Sequence, residues 1–118
     1  MNNYSELIVW QKSMLLAELV YKCSASFPDE EKFGLTSQIK RSVISVASNI
    51  AEGAGRNSNN EFRNFLGITN GSLNELMTQL ELANRFDFLD NITLEEILKL
   101  CNEIQKMTYT LIKKFSNV

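Results

Sequence analysis

The chain is predicted to fold as an all-α protein, an antiparallel up-down-up-down four-helix bundle. Apolar residues recur at three-and-four spacing along four long stretches, and no stretch alternates as a strand would. One proline and five glycines stand in 118 residues, all between Pro28 and Gly71, so both ends are free of strong helix breakers. Ser58-Asn59-Asn60-Glu61 and Thr93-Leu94-Glu95-Glu96 are capping boxes, in which the hydroxyl accepts from a free amide while the glutamate reaches back. Short connections place consecutive helices antiparallel. The length suits one domain over residues 1–118, burying about two thirds of the surface exposed by the unfolded chain.

The first helix is expected from Tyr4 to Ala25, broken at Phe27-Pro28-Asp29 because proline lacks an amide donor and restricts the residue before it. Glu30 to Gly34 is expected as a short turn. The second helix, Leu35 to Ala54, carries Leu35, Ile39, Val43, Val46, Ile50 and Ala54 on one stripe, with Gly53 and Gly55 as its stop. The third opens at Ser58 and places Phe62, Phe65, Leu66, Thr69, Leu73, Leu76, Leu80 and Ala83 on one face, fraying near Phe86 to Asp90. From Thr93 the fourth runs to about Phe115 with Leu94, Ile97, Leu98, Cys101, Ile104, Thr108, Leu111 and Phe115 inward.

Two faces exceed what one bundle needs. On a helical wheel the first helix shows Leu7, Trp10, Met14 and Tyr21 on one side, Ile8, Leu15 and Leu19 on another, and Val9, Leu16 and Val20 on a third. A helix apolar all round requires burial all round, which points to self-association with Trp10, Leu16 and Val20 as candidate oligomer contacts. The second helix instead carries Gln38, Arg41, Ser42, Ser45, Ser48, Asn49 and Glu52 off its core stripe. Serine and asparagine are weak helix formers because their side chains compete for backbone groups, so this face reads as a close-packed polar surface. Folding the third helix back about Arg56 sets Ser45 opposite Gly67, and Arg41 opposite Gly71 within reach of Glu75. Gln38, Arg41, Ser45, Asn49, Glu52, Gly67, Gly71 and Glu75 are therefore the candidate polar stripe, between helices or between subunits. Gly71→Leu is expected to clash there.

The composition excludes more chemistry than it suggests. No histidine is present, which removes imidazole bases, Ser-His and Cys-His pairs and the Glu-x-x-His ligands of di-iron bundles. Glu52, Glu75 and Glu81 do not converge by spacing, and Gly53-Ala54-Gly55-Arg56 lacks the strand and Walker pattern of a phosphate loop. No enzyme activity, cofactor or metal is expected. Cys23 and Cys101 sit in apolar helical patterns as small buried hydrophobes. No signal sequence or membrane-spanning run is evident, so a cytoplasmic address without membrane partners is expected. With 12 basic and 14 acidic residues the net charge is −2, against the strong positive field that nucleic-acid binding requires. Only Arg41, Arg56 and Arg63, repeated around an oligomer, stand as candidate nucleic-acid contacts.

The run Phe33-Gly34-Leu35-Thr36-Ser37-Gln38-Ile39-Lys40-Arg41, then Ser45-Val46-Ala47-Ser48-Asn49-Ile50-Ala51-Glu52-Gly53, resembles the bacterial four-helix-bundle family named after 23S ribosomal RNA intervening sequences. Gly71-Ser72-Leu73-Asn74-Glu75-Leu76 and Trp10 fit it too, and the likeness spans about Leu7 to Leu89. The resemblance implies a cytoplasmic ring-like homo-oligomer, typically a pentamer, of mostly unassigned role. A related branch, the accessory protein of diversity-generating retroelements, uses a strongly basic barrel to bind reverse transcriptase and nucleic acid. The neutral-to-acidic balance departs from that pattern. The leading expectation is a non-enzymatic oligomeric scaffold, and the alternative is an RNA-binding or reverse-transcriptase accessory protein.

Overall fold

The computed structural model describes residues 3–116, so the two positions at either end of the expected 1–118 domain lie outside the described residues. It contains four long helices, α1 (Ile8–Ser24), α2 (Leu35–Ala54), α3 (Asn59–Arg85) and α4 (Asn91–Ser116), in a bundle 47 × 23 × 20 Å. Each helix packs on the next, and α1 closes the ring against α4. The order of cross-helix hydrogen bonds gives the helix directions. Ser42 donates to Gln79 and Ser45 pairs with Ser72, so α2 and α3 run opposite ways; Asn70–Thr108 and Asn74–Gln105 do the same for α3 and α4.

Two helix starts differ from expectation. The first helix is not continuous from Tyr4: a 3-10 turn, Tyr4–Glu6, precedes an extended Leu7 (ψ 124°), and α1 begins at Ile8. Asn3 causes the break, because its side-chain oxygen accepts from the Ser5 amide at 3.1 Å and closes a separate small turn. The short turn before α2 is likewise a 3-10 turn, Asp29–Glu31. The cap of α4 is Asp90, not Thr93. Its carboxylate accepts from the Thr93 amide at 2.7 Å and from the Thr93 hydroxyl at 3.2 Å, so Thr93 lies inside the first turn. Those bonds, the backbone one foremost, hold the Asp90 carboxyl below its ordinary value. At α3 the predicted cap forms: Ser58 Oγ accepts from the Glu61 amide at 3.1 Å.

The core follows the predicted stripes of α2, α3 and α4, except that Leu35, Phe65, Leu98, Leu111 and Phe115 are only half-buried, and Leu16 and Val20 of α1 join it against expectation. Leu16 and Val20 from α1, Ile39, Val43, Val46 and Ile50 from α2, Phe62, Leu66, Leu73, Leu76 and Leu80 from α3, and Ile97, Cys101 and Ile104 from α4 form one buried cluster. Each such aliphatic side chain contributes about 1.5–3 kcal/mol of transfer free energy. Burial also pushes the Cys101 thiol up to about 12. Cys23, half-buried, rises to about 11 through the same desolvation, with the Asp90 charge adding to it.

Candidate interaction surface

The outer face of α1 is the largest mismatch between residue type and environment. Ile8, Leu15 and Leu19 on one flank of α1, and Met14 and Tyr21 on another, are 36–56% exposed, with Gln11, Lys12, Glu18 and Lys22 as the partly or fully exposed polar residues among them. Leu16 and Val20, expected as oligomer contacts, are instead fully buried in the chain's own core. The reason is rotational: Val9, Leu16 and Val20 share the side of α1 that the bundle needs, which leaves the Ile8–Leu15–Leu19 side outward. Trp10 is half-buried, packed against the core and edge-on to Tyr4 at 5.2 Å. Between the start of α1 and the end of α4, an apolar groove of about 370 Å³ is lined by Leu7, Ile8, Met107 and Leu111. Farther along, Lys12 bridges α1 to Glu103 of α4.

The polar stripe divides into a bonded seam and an outer rim. Ser45 Oγ lies 2.8 Å from Ser72 Oγ, while Asn49 Nδ2 donates to the Ser45 carbonyl and hydroxyl at 2.8 and 2.9 Å. Ser42 donates to Gln79 Oε1 at 2.9 Å, so the seam runs between α2 and α3 as a packed hydrogen-bonded line. Gln38, Arg41, Glu52, Gly67, Gly71 and Glu75 are exposed. The expected meeting of Ser45 with Gly67 and of Arg41 with Gly71 does not occur, since Ser72 takes the position facing Ser45. A side chain built on Gly67 or Gly71 meets nothing within 4 Å. Within one chain, therefore, Gly71→Leu has no clash to make. Nor do Arg41 and Glu75 form an ion pair: the ion pairs among the described residues are Lys12–Glu103, Arg56–Glu52 and Arg56–Glu61.

Gly53 supplies the close approach that had been assigned to Gly67 and Gly71. It lies inside α2, and a Cβ there would fall 2.6 Å from Phe65 Cβ and 3.0 Å from Phe62 Cδ1. The sequence had marked it only as a helix stop. Its spacing to the phenylalanines of α3 across the hairpin is the signal that could have identified it.

The three arginines do not gather. Arg56 stacks over the Phe65 ring at 4.9 Å and is neutralised by Glu52 at 3.1 Å and Glu61 at 3.6 Å. Arg63 donates to Asn60 Oδ1 at 2.7 Å. Arg41 lies fifteen residues from Arg56 on the same chain segment, about 20 Å along the helix. Glu52 is thus engaged, and no group of three or more His, Cys, Asp or Glu side chains able to hold a metal ion occurs among the described residues. Among the same residues, no helix is long and apolar enough to cross a membrane.

None of the curated proteins compared with the chain matches it. A solved structure does: a protein of unknown function from the S23 ribosomal protein family of Bacteroides thetaiotaomicron VPI-5482 is 31% identical. The match covers 90% of this chain and 99% of that one, with a TM-score of 0.83. The family model described as 23S rRNA-intervening sequence protein matches residues 5–110. With helices, capping turn and NIAEG and GSLNEL segments in place, this chain belongs to the 23S rRNA-intervening sequence protein family.

Proposed function

We propose that the protein is a non-enzymatic, self-assembling helical-bundle scaffold, located in the cytoplasm, whose copies present a repeated surface to partners. The observation that carries this reading is the outer flank of α1, where Ile8, Leu15 and Leu19 stand open to water beside an apolar groove. Contiguous exposed apolar surface on a stable domain marks contact with another macromolecule. A second copy is always available at the chain's own concentration, and the family resemblance implies a ring-like pentamer. Sedimentation velocity at about 50 µM is expected to give an oligomer, because an interface of this apolar character persists at that concentration. A strictly monomeric species would remove the scaffold reading.

Association with RNA or a reverse transcriptase is the second reading, favoured by the family's description. Its electrostatic support is thin, since Arg56 is already neutralised and only Arg41 among the three arginines stands exposed without an ion pair. Binding of structured RNA that falls steeply with added salt, and that weakens in Arg41→Ala, would sustain it. Undetectable or salt-independent binding would remove it.

A further inference from the structure

A different apolar region is exposed at the end of the bundle where the α1–α2 and α3–α4 connections meet. Phe27 of the first connection and Phe88 of the second lie 6.0 Å apart between ring centres, and Phe88 stands 5.8 Å from Phe86. This row of rings begins in the core, with Phe27 buried, and ends in water, with Phe86 55% exposed. At the same end Phe33 and Ile92, 89% and 74% exposed, are the two most exposed large apolar side chains among the described residues. The α3–α4 connection that carries Phe86 is held in one shape: Asn84 Nδ2 donates to the Leu89 carbonyl at 2.9 Å and to Asn91 Oδ1 at 2.7 Å. Apolar groups on a pinned connection lose little freedom when another molecule settles on them, which favours binding.

The charge around these groups is one-sided. Residues 25–34 and 85–96 hold seven of the chain's 14 acidic residues and two of its 12 basic ones. Lys22 and Lys40 border this end without reversing its sign. Asp29, Glu30, Asp87, Glu95 and Glu96 are exposed, and none of them is in an ion pair among the described residues. Asp87 is placed at a cost to the fold. It closes α3 at φ 64°, where its amide donates to the Asn84 carbonyl and the Phe88 amide to the Ala83 carbonyl. That left-handed position favours glycine, and a carboxylate there faces the negative end of the α3 dipole. An acidic surface repels the phosphates of nucleic acid and of anionic lipid. It suits a chain segment in which Lys or Arg flanks Leu, Ile or Phe, whose carbons cover the exposed apolar groups while the cations reach carboxylates and ring faces. Lys32 over the Phe33 ring at 5.5 Å is a contact of that second kind within the chain itself.

We infer that this end of the bundle docks a basic, apolar segment of a partner protein, with Phe33, Phe86 and Ile92 as its apolar contacts and Asp87 as one of its anchors for a cation. The surface is separate from the outer flank of α1, so the inference goes beyond self-assembly and holds for a single copy.

A displayed library of random short peptides, selected on the unaltered protein and depleted on the folded Phe33→Ser/Phe86→Ser variant, tests the docking surface. Survivors are expected to combine Lys or Arg with Leu, Ile or Phe. No survivors, or survivors without net positive charge, would overturn it. In anisotropy titrations with one labelled survivor, Phe86→Ser is expected to weaken binding by about tenfold or more, and Leu15→Ser on α1 to leave it unchanged. Asp87→Gly separates docking from folding: its urea midpoint is expected to rise, because glycine suits the left-handed turn, while its affinity falls by about threefold or more. Unchanged affinity in either Phe86→Ser or Asp87→Gly, with helical circular dichroism retained, would count against the inference. So would binding to phosphatidylglycerol vesicles that is lost in Phe33→Ser/Phe86→Ser, which would make this end a membrane contact instead.

Discussion

Gly53→Ala tests where the helices of this bundle touch. Adding one methyl is normally favourable in a helix, by about 1 kcal/mol. Here the new Cβ would lie 2.6 Å from Phe65 Cβ, against an ordinary contact of 3.4–4 Å. Phe65 Cβ is fixed to the α3 backbone and has no rotamer that moves it, so α2 and α3 must part by about 1 Å, loosening the dispersion contacts around them. Phe62, fully buried and 5.2 Å from the Phe115 ring, blocks the alternative of rotating α2. Overpacking of this kind costs about 1–3 kcal/mol; set against a propensity gain of at most about 1 kcal/mol, reduced at the next-to-last residue of α2, a net loss of up to about 2 kcal/mol is expected. For a chain of this length that lowers Tm by about 5 °C. Gly67→Ala is the matched control, because its methyl enters open space and only the propensity gain remains. Urea unfolding of the dilute chain, read by circular dichroism, should move the two midpoints in opposite directions. Equal or greater stability in Gly53→Ala would refute the close crossing and the reasoning built on it.

Ser58→Ala removes the oxygen that receives the Glu61 amide and should cost about 1 kcal/mol in urea unfolding, with Ser58→Asp retaining most of the stability. Thr108→Val deprives the buried Asn70 Oδ1 of its donor and should cost about 1–3 kcal/mol, whereas Asn70→Leu combined with Thr108→Val should recover part of it, a coupling that a double-mutant cycle measures. The raised Cys101 pKa gives a signed pH effect: the unfolded thiol ionises near the ordinary 9.0 while the folded one holds its proton to about 12, so stability is retained below 9 and lost as pH climbs from 9 towards 12. The decline should be shallower in Cys101→Val, and an identical slope in both proteins would contradict burial of that thiol.

The core was legible because large aliphatic side chains at helical spacing have only one low-energy destination. Leu66, Leu73, Leu76 and Leu80 define a stripe, and the stripe fixes the rotation of α3. That same stripe contained the answer about the glycines. Thr69 and Leu73, two residues either side of Gly71, face the core, and two residues turn a helix by about 200°, which sends Gly71 to the opposite side. Counting levels across the hairpin, without following rotation, led to the expectation that Gly71 packs on α2. For α1, apolar groups on three sides leave the inward side open by pattern alone; the bundle buries Leu16 and Val20, half-buries Trp10, and leaves Ile8, Leu15 and Leu19 outward. The α4 cap was obscured because Asp90 and Thr93 are both sound caps; two hydrogen bonds to one carboxylate decided it for the aspartate.

The seams flanking α3 have a further consequence. On one side stand Ser42–Gln79 and Ser45–Ser72, on the other Asn70–Thr108 and Asn74–Gln105. Leucines would tolerate a slide of one helix along another, trading one greasy neighbour for the next, but these donors and acceptors match at a single setting. They act as alignment pins. Swaps among core leucines should leave the outer faces in place, whereas loss of the pins would let α3 drift lengthwise and carry its outer face with it.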